Sequence, residues 1–108
     1  MIEIKFSPDA ITDLLLSKNY IAEELNSNTA AQNTIEKIMR RIRMLSEFPE
    51  TGAPLSGIVG FDTEYRYLVC GNYNVFYRYE REAVYIVRVL YCRRDYMRIL
   101  FPSDDENT

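Results

Sequence analysis

Residues 64–91 read EYRYLVCGNYNVFYRYEREAVYIVRVLY, and this stretch decides the fold. Residues 64–70, 73–79 and 83–91 are rich in aromatic and β-branched side chains, the types that suit a pleated, half-buried surface. Gly71-Asn72 and Glu80-Arg81-Glu82 break the runs as turns. Strands joined by turns this short pair antiparallel with their neighbours. Alternation puts Tyr65 and Tyr67 on one face of the first strand, and Glu64, Arg66 and Leu68 on the other.

Upstream the period changes. Ile2, Ile4 and Phe6 alternate with Glu3 and Lys5, which predicts a short strand. Ser7-Pro8-Asp9 then supplies an N-cap, a proline at the first helical position and an acid in the first turn. The stripe Ile11, Leu14, Leu15, Ile21, Ala22 and Leu25 predicts the buried face of a helix that ends at Asn26-Ser27-Asn28. From about Thr29, Ala31, Ile35, Ile38, Met39, Ile42 and Leu45 mark a second helix, stopped by Pro49. A three-residue break between two helices makes an antiparallel hairpin. Residues 49–63 carry Pro49, Gly52, Pro54, Gly57 and Gly60 and read as a loop. Downstream, Arg93-Arg94-Asp95 opens a short terminal helix that Pro102 ends. The expected fold is α+β: β-α-α-β-β-β with a short C-terminal helix, the helix hairpin packed on a small, mainly antiparallel sheet. Residues 1–102 form one domain, and 103–108 are expected to be a disordered acidic tail.

Bulk properties narrow the function. At 108 residues, with 47% hydrophobic and 27% charged residues, the chain has the makeup of a soluble globular domain. No run suits a membrane span or a signal peptide, so a cytoplasmic protein is expected. The chain has no histidine, which excludes imidazole bases and His-based triads. Its two cysteines, Cys70 and Cys92, cannot close a zinc tetrahedron and are read as reduced thiols. Neither metal nor cofactor is expected. The net charge of −3 is unevenly spread. Residues 1–63 carry 6 basic and 9 acidic groups, 64–102 carry 7 basic (all arginine) and 4 acidic groups, and the tail adds Asp104, Asp105 and Glu106.

Several segments, in order, resemble the RelE/ParE toxins of bacterial type II toxin–antitoxin pairs. Phe48-Pro49-Glu50-Thr51-Gly52-Ala53-Pro54-Leu55 resembles the proline–glycine loop after that family's second helix. Tyr65-Arg66-Tyr67-Leu68-Val69 is similar to its arginine-bearing strand, and Asn72-Tyr73-Asn74-Val75-Phe76-Tyr77 to the strand that follows. Val87 to Tyr96, ending in Arg93-Arg94-Asp95-Tyr96, resembles its closing strand and is the most specific of the set. The resemblance implies a cognate antitoxin as partner and one of two targets. RelE-like members cut messenger RNA on the ribosome, whereas ParE-like members poison DNA gyrase and cleave nothing.

An RNA-cleaving reading needs a base, an acid and cations around a charged phosphorane. Arg66, Arg93, Arg94 and Tyr96 are the candidate catalytic residues, with the arginines lowering the phenol's ordinary pKa of about 10. Arg66 joins them if its strand lies beside the closing strand. Against this, tyrosines 65 and 67 stand where RelE-like members carry lysines, and Asn74 where they carry an arginine. A body with no net charge over residues 1–102 also lacks the phosphate-neutralising excess that RNA binding draws on. The gyrase-poison reading needs only a protein interface, and tyrosine and arginine are enriched at interface hot spots. Tyr65, Tyr67, Tyr91 and Arg98 are the candidate partner contacts. The sequence favours this reading slightly, with an inactive member that only binds antitoxin as a third possibility. Each residue also has a plainer role: Arg66 as a brace of the sheet, Arg93-Arg94-Asp95 as a cap on the terminal helix, and Tyr73 and Tyr77 as core.

Overall fold

The computed structural model describes residues 2–102, so the acidic-tail expectation lies outside the described residues. Strand β1 (Glu3–Phe6) leads into helix α1 (Pro8–Glu24) and helix α2 (Asn28–Met44). Then come β2 (Ala53–Pro54), α3 (Ser56–Val59), β3 (Tyr65–Cys70), β4 (Tyr73–Glu80), β5 (Ala83–Tyr91) and α4 (Tyr96–Leu100). The sheet order is β1-β5-β4-β3-β2. All pairings are antiparallel except β1 with β5, which is parallel, so β1 reaches its place by way of the helix hairpin. The expected α+β sandwich is therefore present.

Local chemistry explains the elements. Ser7 caps α1, its Oγ accepting from the Ala10 N–H at 3.0 Å, with Pro8 at the first helical position. Ser27 caps α2 in the same way, at 3.1 Å from Ala30 N. Between the helices Asn26 takes φ 48°, a left-handed conformation that asparagine tolerates better than most residues. The stripe read for α2 is buried or partly buried from Ala31 to Leu45.

The stripe read for α1 needs correction. Ile11, Leu15 and Leu25 face solvent at 49%, 60% and 62% exposure. The inward face is Ala10, Asp13, Leu14, Ser17 and Ile21. α1 is apolar on several sides, so periodicity alone does not find the buried one.

The loop 49–63 is also more ordered than its composition predicts. Tyr77 reaches into it from β4: its hydroxyl donates to Pro49 O at 2.8 Å and accepts from Gly52 N at 2.9 Å. This draws Ala53–Pro54 against Arg66 and Tyr67 as β2. The approach is so close that a Cβ on Gly52 would lie 2.6 Å from both Tyr67 O and the Tyr77 hydroxyl.

Two cores result, one on each face of the sheet. Under the helices lie Ile38, Ile42, Leu68, Val75, Tyr77 and Ile86, among others. On the outer face Phe76 and Leu90 are covered by Leu55 and Leu100, with Tyr65, Tyr67, Tyr96 and Phe101 at the margin.

Candidate functional site

One buried carboxylate ties the helix hairpin to the closing strand. β1 ends opposite Ile86, and beyond that point β5 has no strand on that side. Ser7 continues the contact briefly, its N–H donating to Ile86 O and its hydroxyl to Val87 O at 2.7 Å. Next, the pairing of β4 with β5 slips: Phe76 faces Arg88 but Tyr77 faces Ile86, leaving Val87 as an extra residue. Such a bulge re-aims the side chains beside it. Asp13, only 8% exposed, receives Arg88 through two bonds, Nε to Oδ2 and Nη2 to Oδ1, each 2.8 Å. The Val89 N–H also donates to Oδ2, at 2.9 Å. The hydrogen bonds to the Asp13 carboxylate push the Arg88 pKa up, against the opposing effect of burial. Sequence reading missed this pair. Asp13 stands out as a carboxylate on an inward face only when the inward face of α1 is correctly assigned.

Next to this clamp the hairpin and the sheet diverge into a trench with two lobes. The larger, about 780 Å³, has Ile21, Ile38, Cys70 and Tyr73 in its floor and the exposed Leu25, Met44 and Val69 on its rim. The second, about 530 Å³, runs between Leu16 and Ser17 on α1 and Val89 and Leu90 on β5. The lobes share Tyr20, Tyr73 and Tyr91, and the rings of the last two meet edge to face at 5.6 Å. Lys37, Arg40 and Arg41 on α2 rim the first lobe, and Arg93 and Arg94 close the second. Burial pushes the Cys70 thiol pKa up, partly offset by the charge and hydrogen bond of Arg41. Burial likewise raises the Tyr73 phenol, offset in part by its hydrogen bond to Ser17. The trench is thus a water-exposed apolar groove with cations at both ends, a form suited to a protein segment with apolar anchors and acidic flanks. None of its α1 and α2 residues was singled out from sequence as a main contact. Met44, apolar and on this rim, is 52% exposed.

The four candidate catalytic residues do not come together. β4 lies between β3 and β5, so the strand of Arg66 does not border the closing strand. Arg66 shares the helix-side face with Leu68 and Cys70, and its guanidinium is occupied: Nε donates to Gly52 O at 3.0 Å and Nη2 to Glu50 O at 3.2 Å. It braces the loop through carbonyls, not through an acid. Tyr96 lies on the outer face, its ring 5.1 Å from that of Phe76. Arg93 and Arg94 are exposed in the turn between β5 and α4, at the end of the trench. Asp95 caps α4, accepting from Arg98 N at 3.4 Å. Of the candidate partner contacts, Tyr91 lines the trench and Arg98 is exposed on α4. Tyr65 and Tyr67 instead border the outer core, where Tyr65 meets Phe101 edge to face at 5.5 Å. Among the described residues no cluster of acids and cysteines is arranged to hold a metal, and no helix is long and apolar enough to cross a membrane.

Residues 4–96 match the family described as ParE toxin of type II toxin-antitoxin system, parDE. The chain belongs to the ParE toxin family. No curated protein matches it in sequence. A solved structure of the chromosomal ParDE toxin–antitoxin system from P. aeruginosa contains a chain of the same fold. It superposes with a TM-score of 0.71 at 18% identity, over 84% of this chain and 96% of that one. The span that matches the ParE family takes in both helices, the whole clamp of Asp13 and Arg88, and every trench residue.

Proposed function

We propose that this ParE-family chain is the toxin half of a two-protein module, silenced by an antitoxin segment seated in the trench. We further assign its toxicity to a protein contact with DNA gyrase, with no cleavage of RNA. One observation carries this reading: Arg66 and Tyr96 are dispersed on opposite faces of the sheet, while Tyr20, Tyr73 and Tyr91 line a groove rimmed by Lys37, Arg40, Arg41, Arg93 and Arg94. Arg66 is committed to loop carbonyls on one face of the sheet and Tyr96 packs on the other. Arg66 and Tyr96 are thus kept from meeting one 2′-hydroxyl and its phosphate together.

The test is to induce the chain and follow incorporation of labelled thymidine and labelled amino acid in one culture. An early fall in thymidine incorporation is expected. A prompt fall in amino-acid incorporation with DNA synthesis intact would reverse the assignment and turn attention to Arg93, Arg94 and Tyr96. If neither falls, the chain is a member that only binds antitoxin. For the trench, backbone hydrogen exchange on adding the antitoxin is expected to slow at 20–25, 69–73 and 91–94. Protection confined to other segments would refute that seat.

A further inference from the structure

The two ends of β3 carry patches of opposite character. At its C-terminal end, on the helix side, Val69 and Cys70 enter the trench, with Lys37, Arg40 and Arg41 above them. At its N-terminal end, on the outer face, Tyr65 sits beside a small apolar knob. Ile58 at the tip of α3 is 55% exposed and Phe61 44%, and Phe61 stacks edge to face on Phe101 at 5.0 Å. The charges that follow Phe61 on the knob's own loop are acidic: Asp62 and Glu64 are both exposed. Six strand residues, about 20 Å, and the thickness of the sheet separate the two patches. A chain therefore cannot fill its own trench with its own knob.

We propose that the free chain associates with itself head to tail, the acidic knob of one copy seated in the cationic trench of the next. Both surfaces are apolar at the centre and charged at the margin, with opposite signs, so each supplies what the other lacks. Because the patches are different and face different ways, the contact is heterologous and does not close at two copies. A copy whose trench holds a neighbour's knob has no room there for another partner, so self-association competes with any trench ligand. The inference stands without the toxin reading, since it concerns the chain alone.

Sedimentation of the purified full chain tests it. The average mass is expected to climb with concentration past twice the 12.7 kDa monomer, and to fall back towards the monomer in high salt. Lys37→Glu with Arg40→Glu removes the trench charge, and Ile58→Asp spoils the knob; both alter exposed side chains, and unchanged melting confirms that the variants fold. Each variant alone is expected to lose association. Mixed in equal amounts, they are expected to form a species of twice the monomer mass and nothing larger, because one intact trench meets one intact knob. A wild type that stays monomeric or stops at two copies, or a mixture that stays monomeric, overturns the proposal.

Discussion

The two faces of the sheet are closed in different ways. The helix side is covered by two 17-residue helices, and Val75, Tyr77, Val84 and Ile86 beneath them are wholly buried. The outer side is covered by a four-residue and a five-residue helix and relies on aromatic edges, Phe61 and Tyr65 against Phe101 and Phe76 against Tyr96. The long cover gives most of the burial, but two rigid rods cannot follow a twisted sheet to its end, so the surfaces part there and leave the trench. The short covers form a knob. Stability and an open groove thus belong to the same face.

The comparison can be broken most forcefully at its aromatics. Tyr73, 6% exposed in the trench floor on the helix side, is expected to cost about 3–5 kcal/mol when changed to alanine. Tyr96→Ala, at the half-buried outer margin, is expected to cost less, about 1–2 kcal/mol. Thermal melting of the two variants decides it, and equal losses would mean that the outer core contributes as much as the inner one. Asp13→Ala ranks next. It strands Arg88 and the Val89 N–H, and since the Arg88 side chain keeps 21% exposure, a loss near the lower end for a broken buried pair, about 3 kcal/mol, is expected in urea unfolding. An Asp13→Ala protein of wild-type stability would show that the hairpin is held by its apolar contacts alone. Gly52→Ala is expected to cost about 2 kcal/mol, because the new methyl meets Tyr67 O and the Tyr77 hydroxyl. Faster hydrogen exchange in residues 50–54, with the helices unaffected, would localise the damage.

The smallest effect concerns pH. Burial raises the Tyr73 phenol in the fold, so the unfolded chain loses that proton first. The stabilising contribution is present in full below the ordinary phenol pKa of about 10 and is lost as pH rises through the folded value. Tyr73→Phe is therefore expected to flatten the loss of stability above pH 10. An unchanged slope would assign that loss to other phenols.

The sequence announced β1, β3, β4, β5 and the two long helices because each carries its own period and its own punctuation. Ser7-Pro8 and Ser27 start the helices where caps were expected or within a residue or two of that place. It was less informative wherever an element depends on a distant side chain. β2 and α3 lie in a stretch that composition marks as loop, and the chain leading into β2 is held by Tyr77 and Arg66, which reach in from strands formed later in the chain. The trench was illegible for a similar reason. Alternation separates Tyr65 and Tyr67 from Arg66, but nothing local says which face the helices will cover, so Arg66 was grouped with Tyr96, which lies across the sheet from it. Arg93 and Arg94 were grouped with Tyr96, and Tyr91 with Tyr65, Tyr67 and Arg98, whereas the trench brings Arg93 and Arg94 together with Tyr91.

The Asp13 clamp has a consequence for inheritance. Its two halves are 75 residues apart, one in the helix hairpin and one in the closing strand. A recombination event that joined the hairpin of one family member to the sheet of another would have to carry a matching acid and arginine from both parents. Where it did not, the hybrid would hold a lone charge beneath its first helix, so the two halves of this fold are expected to descend together.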